Sequence, residues 1–219
     1  MVKPSPIFVF DAFGTLFDVH SAARDHADAL GPNAARVSDV WRAKQLEYTW
    51  IYAGLGESLP FREITRLSLD YALNVCGLEQ THSPRWLESY QRLKPFGEVP
   101  LVLQRLRARG TKLAILSNAD PDMLDDLVRN AGLEQVFDQL ISARTAGTFK
   151  PAPPVYALAS EAFGCLPSDL TFVSSNRWDV AGAKAFGFET VWVNRALLPD
   201  EYPDMTADRT IPDLEGLLS

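Results

Sequence analysis

The sequence predicts an α/β fold: a doubly wound, Rossmann-like parallel-sheet core with an inserted helical cap subdomain. Five short apolar runs are nearly continuous rather than alternating, which is typical of parallel strands covered on both faces. Helical patterns of crossover length separate the last four runs. The first run is instead followed by about eighty residues without a convincing strand, more chain than a crossover needs.

Composition limits the classes of protein to which the chain can belong. It has 219 residues, 47% of them hydrophobic and 22% charged, which suits one large domain or a core with a sizeable insertion. The net charge is −7 and no basic run occurs, so no nucleic-acid partner is expected. No stretch approaches the ~20 apolar residues of a membrane span, so no membrane partner is expected either.

Cysteine usage and the N-terminus bear on the cellular compartment. Cys76 and Cys165 lie far apart without metal-ligand spacing, which is typical of a reduced protein. The apolar run near the start is broken by Asp11 and is too short for the apolar region of a signal peptide. We therefore expect a cytoplasmic protein.

The predicted core takes its strands from the apolar runs and its helices from the patterns between them. Each predicted helix ends within two residues of a glycine. Residues 1–15 and 97–219 are assigned to this core, and the polar tail Leu197–Ser219 is expected to wrap its surface. The strands are Ile7–Phe10, Lys112–Leu116, Gln139–Ser142, Leu170–Ser174 and Thr190–Val193, and the helices are Glu98–Arg109, Met123–Asn130, Pro154–Phe163 and Asp179–Phe186.

The long segment after the first strand predicts a separate helical layer. Since no crossover requires this much chain, residues 16–96 are expected to form a helical cap over the strand ends. Helical patterns occur near Ser21–Leu30, Ala35–Tyr52, Phe61–Val75 and Pro84–Leu93.

Polar side chains follow four of the predicted strands. Ligands of open parallel sheets bind at the carboxyl ends of the strands, so these side chains predict a site at that edge. Taken singly, each has an ordinary structural explanation, such as a helix cap or a solvent-facing lysine. The agreement of four separate segments favours a functional site. Its members are Asp11 and Thr15, Ser117 and Asn118, Lys150, and Ser174, Asn176 and Asp179.

Four motifs resemble those of the haloacid dehalogenase superfamily. They are FVFDAFGTLFD, LSNA, a lysine followed by proline at 150–151, and FVSSNRWDVAGAKAFG, in that order. The helical segment also stands where that superfamily carries its cap. The resemblance spans the whole core and implies the fold of that superfamily.

Most members of that superfamily are Mg²⁺-dependent phosphatases, which makes this the first alternative to weigh. Those enzymes carry an acid two residues after the nucleophilic aspartate, where this chain has Phe13, and a phenyl ring cannot donate a proton. Ser175 replaces the first metal-binding carboxylate of their fourth motif. Both differences disfavour phosphoryl transfer, and no metal or cofactor is expected.

In the positions where it departs from the phosphatases, the sequence resembles the L-2-haloacid dehalogenase family. Its patterns SSNxWD, WRxKQLEY and KPxxxVY match SSNRWD at 174–179, WRAKQLEY at 41–48 and KPAPPVY at 150–156. The resemblance implies a hydrolase of small halogenated carboxylates such as haloacetates and 2-halopropionates. It would release halide and a 2-hydroxy acid of inverted configuration, and the resemblance also implies a homodimer.

The resemblance further implies a role for each site residue. Asp11 would displace the halide from carbon and form an ester, and Asp179 would activate the water that hydrolyses the ester. A halide leaves as an anion and needs no acid, which explains why Phe13 can stand at the position of the phosphatases' acid. The dehalogenase family commonly has tyrosine there, and the missing hydroxyl would alter the rate or the halide preference. The other implied roles are halide uptake by Arg42, positioning by Thr15, Lys150, Ser174 and Asn176, carboxylate binding by Ser117 and the Asn118 backbone, an apolar wall of Leu46, Phe61 and Trp178, and support of Asp11 by Tyr156.

Several points stay open at this stage. Core packing explains Leu46 and Phe61 equally well. Arg177 puts a cation beside the fourth motif where the family often has a small residue, so it could join Arg42 and Lys150 at the site or face solvent. Ala43, where the family often has glutamine, would leave the halide pocket looser or differently bonded. The alternative functions are an Mg²⁺-dependent phosphatase of small metabolites and a non-catalytic binder of small carboxylates.

Overall fold

Six parallel strands form one sheet in the computed structural model, which describes residues 6–219 apart from the side chains of Ala29 and His82. The strands are β1 (Ile7–Phe10), β2 (Lys112–Ser117), β3 (Gln139–Ser142), β4 (Leu170–Ser174), β5 (Glu189–Val193) and β6 (Arg209–Ile211). Their spatial order is β3-β2-β1-β4-β5-β6, so the direction of winding reverses at β1. Ligands of such sheets bind at this reversal, directly beyond the end of β1.

Five helices occupy residues 21–90. They are α1 (Ser21–Arg24), α2 (Ala27–Leu30), α3 (Ala34–Gly54), α4 (Phe61–Val75) and α5 (Ser83–Tyr90). The two connections between these helices and the sheet run side by side. The amide of Phe96 donates to the carbonyl of Leu16 (3.0 Å), and the amide of Asp18 donates to the carbonyl of Lys94 (2.9 Å).

The first of these helical segments differs from its prediction. One helix was predicted over Ser21–Leu30, and the structure interrupts it at Asp25 and His26. Asp25 pairs with Lys94, and the His26 Nε2 lies 2.7 Å from the Ser89 hydroxyl. A helix this short is marginal on its own, so contacts with other segments determine its path.

Helices cover both faces of the sheet. The side chains of β1 alternate, so that Phe10 packs in one hydrophobic layer and Val9 in the other. The Phe10 layer includes α6 (Val99–Ala108) and α7 (Pro121–Asn130), and the Val9 layer includes α8 (Pro153–Phe163) and α9 (Arg177–Phe186). Burial on both faces explains the continuous apolar runs and confirms the predicted fold class. Within residues 6–219 no helix is long and apolar enough to cross a membrane.

The end of the chain is more regular than its polarity predicted. Residues 197–219 were expected only to wrap the surface, but they contain β6, which pairs in parallel with β5. Ile211, Leu214 and Leu217 are buried against the core. These three spaced apolar residues anchor the segment, while most of its other residues are exposed. Residues 1–5 of the core segment predicted over 1–15 lie outside the described residues.

The close packing of α8 and α9 depends on Gly182 and leads to a first prediction. A Cβ atom at position 182 would lie 2.7 Å from the Pro151 Cβ and still closer to the Tyr156 hydroxyl. Gly182→Ala should therefore lower the free energy of unfolding by about 1–3 kcal/mol, measured by denaturant titration. Gly54→Ala is the control, since a Cβ at position 54 meets open space. Equal stability of the two variants would contradict this account of the packing.

Candidate active site

The loops that follow β1, β2 and β4 meet residues from α3 and α4 around one small cavity. Its position beyond the end of β1 is the one expected for an open parallel sheet. The cavity is lined by Asp11, Phe13, Arg42, Leu46, Phe61, Asn118 and Trp178, each of which the sequence had singled out.

Asp11 is the most heavily hydrogen-bonded acid at this edge of the sheet. Thr15 Oγ1 donates to its Oδ2 over 2.9 Å, and Asn176 Nδ2 donates to the same oxygen over 2.8 Å. The Ser174 hydroxyl lies 3.4 Å from that oxygen. The other carboxylate oxygen, Asp11 Oδ1, has a single close partner, Lys150 Nζ, at 3.2 Å. These donors fix the carboxylate and leave its two oxygens in different environments.

Lys150 joins the two carboxylates of the site. Its Nζ is 2.8 Å from Asp179 Oδ2 as well as 3.2 Å from Asp11 Oδ1, and all three side chains are buried. Burial alone would lower the pKa of Lys150, but the two carboxylates raise it above its usual value, so the group stays an ammonium. Within residues 6–219 no three His, Cys, Asp or Glu side chains are grouped to hold a metal ion.

Asp179 is the carboxylic acid of the site whose pKa is raised towards neutral pH. Burial raises the pKa of Asp179 to about 6, with Lys150 opposing the shift and Asp11 adding to it. The Tyr156 hydroxyl donates to Asp179 Oδ1 over 2.7 Å, and burial raises the pKa of Tyr156, so its proton is retained. Tyr156 was expected to support Asp11. It contacts Asp179 instead, because α8 packs beside α9, on which Asp179 lies.

Helix α3 supplies the cationic side of the cavity. Arg42 and Leu46 are four residues apart and therefore lie on one face of the helix. Arg42 Nη2 donates to the Phe13 carbonyl and to Asn176 Oδ1, each over 3.3 Å. Ala43 is exposed and does not line the cavity. Its effect on the halide pocket stays a prediction.

The residues after β2 divide between the cavity and the backbone. Asn118 lines the cavity, and its Oδ1 accepts from the amide of Lys150 over 3.0 Å. The Ser117 hydroxyl is buried and accepts from the amide of Ala119 over 3.1 Å. Asn118 thus ties the loop after β2 to the segment that carries the lysine.

Arg177 does not contribute to the site. Its Nε pairs with Asp200 at 2.6 Å, and its Nη2 donates to the carbonyls of Tyr202 and Met205. The side chain is buried and holds the segment that leads to β6. Of the three cations considered, Arg42 lines the cavity and Lys150 pairs with Asp11 and Asp179.

Sequence reasoning missed three side chains that support the site. Ser175 donates to the carbonyl of Gly14 over 2.6 Å, although it had been considered only as a lost metal ligand. Gln45 accepts from Arg42 Nη1 over 2.9 Å, and the Tyr90 hydroxyl donates to the same oxygen. Gln45 stands in a quoted motif one residue before Leu46, so a signal existed for it. No pattern pointed to Tyr90.

The comparison with known families settles the assignment of the fold and motifs. The family model of haloacid dehalogenase-like hydrolases matches residues 6–187. The chain belongs to this family. The resemblance inferred from the motifs is thereby confirmed.

Individual relatives of this haloacid dehalogenase-like hydrolase are similar over most of their length. It is 41% identical to haloacetate dehalogenase H-2 of Moraxella sp. (strain B), covering 99% of this chain and 98% of the relative. It is 45% identical to the (S)-2-haloacid dehalogenase of Xanthobacter autotrophicus, covering 85% of this chain and 74% of the relative. A structure of an L-2-haloacid dehalogenase from Xanthobacter autotrophicus with chloropropionic acid covalently bound superposes with a TM-score of 0.89 at 37% identity, covering 97% and 96% of the two chains.

The buried ion cluster predicts a pH-dependent effect of removing its cation. Lys150→Met leaves Asp11 and Asp179 without their shared partner, which should destabilise the fold by about 3–5 kcal/mol at neutral pH. The raised pKa of Asp179 favours the folded state while the carboxyl is protonated, and this contribution is lost as the pH rises through about 6. In the variant Lys150 no longer opposes the shift, so the carboxyl of Asp179 should hold its proton to higher pH. The stability gap to the wild type should therefore widen between about pH 5 and pH 8.

Denaturant titrations of both proteins across this range measure the gap. Lys184→Met is the control, because Lys184 forms a partly exposed pair with Asp208. A gap for Lys150→Met that stays constant with pH would contradict the proposed coupling.

Proposed function

We propose that the protein is a hydrolytic (S)-2-haloacid dehalogenase that converts haloacetates and 2-halopropionates into 2-hydroxy acids with inversion. The proposal rests on a buried, fully hydrogen-bonded aspartate that faces a cavity with a guanidinium and apolar walls. The dehalogenase names of the relatives support it and do not favour the phosphatase or the non-catalytic binder.

In the first half of the reaction Asp11 attacks the carbon that bears the halogen. Three donors surround its Oδ2, whereas Oδ1 contacts Lys150 alone, so Oδ1 is the oxygen available for attack. An Oδ1–carbon bond forms as the carbon–halogen bond breaks, and the halide leaves with the electron pair. Arg42, always charged, would receive the halide, and no proton is needed. Because the step needs no proton, Phe13, which has none to donate, is compatible with it.

In the second half water attacks the carbonyl carbon of the Asp11 ester. The negative charge then develops on Oδ2, to which Thr15 and Asn176 already donate, so the donors that orient the nucleophile also stabilise this oxyanion. Asp179 accepts a proton from the water as its carboxylate, which requires a pH above its pKa of about 6. As the Oδ1–carbon ester bond of Asp11 breaks, the departing alkoxide takes the proton held by Asp179 and leaves as the hydroxy acid. The Asp11 carboxylate is restored when the second proton of the attacking water passes to solvent.

Binding of the substrate would use the other cavity residues. Asn118 and the neighbouring Ser117 would hold the substrate carboxylate at the end of β2. Phe13, with Leu46, Phe61 and Trp178, would form the apolar wall around the carbon and halogen, and their placement at one cavity supports this assignment. Lys150 would help to hold the carboxylates and the attacking water.

We further propose that residues 16–96 act as a cap over a core formed by 1–15 and 97–219. The segment leaves and rejoins the sheet through two adjacent connections. It brings Arg42 and Phe61 to a cavity whose nucleophile comes from β1. Such an arrangement would shield the ester from bulk water and would hold the residues of the cap and of the core in a fixed position relative to each other.

We also propose a homodimer. α3 and α4 expose Ile51, Leu55, Tyr71 and Val75, whose exposed fractions range from 40% to 69%. Adjacent exposed apolar side chains of this kind are typical of contact surfaces. A second copy of the chain is the partner that the family resemblance implies.

A cytoplasmic location is proposed on chemical grounds. Cys76 and Cys165 are both free thiols. Reduced cysteines are usual in the cytosol and unusual in oxidising compartments.

The proposed reaction predicts release of halide without any added metal. Purified protein incubated with (S)-2-chloropropionate and excess EDTA should release chloride at the same rate as without chelator. Loss of the activity in EDTA, with hydrolysis of small phosphate esters in Mg²⁺, would instead favour the phosphatase. Tight binding of carboxylates without halide release would favour the binder.

Replacement of the nucleophile gives a second prediction. Asp11→Asn should abolish chloride release, a loss of about 10³-fold or more, because a neutral amide is a poor nucleophile. Asp25→Asn, which changes an exposed carboxylate paired with Lys94, is the control and should retain wild-type turnover. Wild-type turnover by a freshly prepared Asp11→Asn sample would remove Asp11 from the mechanism.

A further inference from the structure

A buried polar network that the reaction does not use lies behind Arg42. Arg42 Nη1 donates to Gln45 Oε1 over 2.9 Å, which is shorter than either 3.3 Å contact of Nη2. The Tyr90 hydroxyl donates to the same Gln45 oxygen over 2.9 Å. Gln45 and Tyr90 are at most 3% exposed. The strongest hydrogen bond of the cavity cation is therefore made to a buried amide and not to solvent.

The orientation of the Gln45 amide follows from its other neighbour. Thr65 Oγ1 donates its proton to the carbonyl of Phe61 over 2.8 Å and can only accept at its remaining positions. Gln45 Nε2 donates to it over 2.8 Å. The carbonyl oxygen of Gln45 must then face Arg42, where both of its lone pairs are filled. A flipped amide would set its NH₂ against the guanidinium.

Tyr90 is held by packing on both sides. Its ring stacks on Phe13 at 5.5 Å between centroids and contacts Trp41 at 5.0 Å. Burial raises the pKa of Tyr90, although Arg42 opposes the shift, so the hydroxyl keeps its proton and remains a donor. Three elements thus meet at one side-chain amide: α3 carries Gln45, α4 carries Thr65, which accepts from Nε2, and α5 ends with Tyr90, which donates to Oε1.

We propose that Gln45 and Tyr90 are positioning residues that hold the Arg42 guanidinium in the geometry that receives the departing halide. The proposal rests on the proposed function. A flexible arginine has many rotamers, and an amide that can accept only from it and from Tyr90 selects one of them in advance. The network uses a neutral acceptor, so the charge of Arg42 remains available to an anion.

Two conservative variants test this in the full-length protein. Gln45→Asn keeps the amide but shortens the side chain, and Tyr90→Phe keeps the stacked ring but removes the hydroxyl. Bromide binding, followed by quenching of the tryptophan fluorescence to which the cavity residue Trp178 contributes, should weaken about tenfold in Gln45→Asn and about threefold in Tyr90→Phe. In single-turnover experiments halide formation should slow in proportion, while hydrolysis of the preformed ester keeps its wild-type rate. A purely structural role would move both half-reactions together.

Thr49→Val is the matched control. Thr49 is buried on α3 four residues after Gln45, and its hydroxyl donates only to the carbonyl of Leu46. Bromide binding unchanged in Gln45→Asn and Tyr90→Phe, or weakened equally in Thr49→Val, would overturn the proposal, as would a wild type that does not bind bromide. If Gln45→Asn fails to fold, Tyr90→Phe decides. A wild type that binds bromide but releases no halide would contradict the proposed function. The bromide affinities of the variants would then still decide whether Gln45 and Tyr90 position Arg42.

Discussion

The site depends on one buried ammonium placed between two buried carboxylates. The Lys150 side chain is only 1% exposed, and its Nζ lies 3.2 Å from Asp11 Oδ1 and 2.8 Å from Asp179 Oδ2. Removing three charges from water costs several kcal/mol for each, and only close pairing offsets this. The cluster holds the two carboxylates at fixed separation, yet it carries one negative charge more than positive. Burial, to which the charge of Asp11 adds and which Lys150 opposes, raises the pKa of Asp179 above that of an ordinary aspartate.

The surrounding fold serves this cluster. The winding of the sheet reverses at β1, so Asp11 emerges between the loops that follow β2 and β4. Thr15 and Asn176 then donate to one oxygen of the Asp11 carboxylate and leave the other to Lys150. The helices between β1 and β2 add what the sheet edge lacks, since Arg42 brings a permanent positive charge and Phe61 an apolar wall. An acidic chain can in this way handle an anionic substrate and release two anions.

Residues whose position follows from local chain geometry were predictable. Asp11, Asn118 and Asp179 lie where strands end, and strand ends converge in any parallel sheet. Arg42 and Leu46 share a face of α3 because helical periodicity puts them there. What failed depended on packing between distant segments. Tyr156 reaches Asp179 because α8 lies against α9, Arg177 turns towards the segment before β6, and Tyr90 reaches Gln45 only because α5 packs on α3 and α4.

The central claim is that Asp11 forms a covalent ester and that water attacks the ester and not the substrate. A single turnover in ¹⁸O-water, with enzyme in excess over (S)-2-chloropropionate, tests it directly by mass spectrometry. The account predicts unlabelled lactate from this first turnover and one ¹⁸O in the peptide that carries Asp11. Label in the lactate and none in Asp11 would mean that water displaces the halide directly, and would contradict the account.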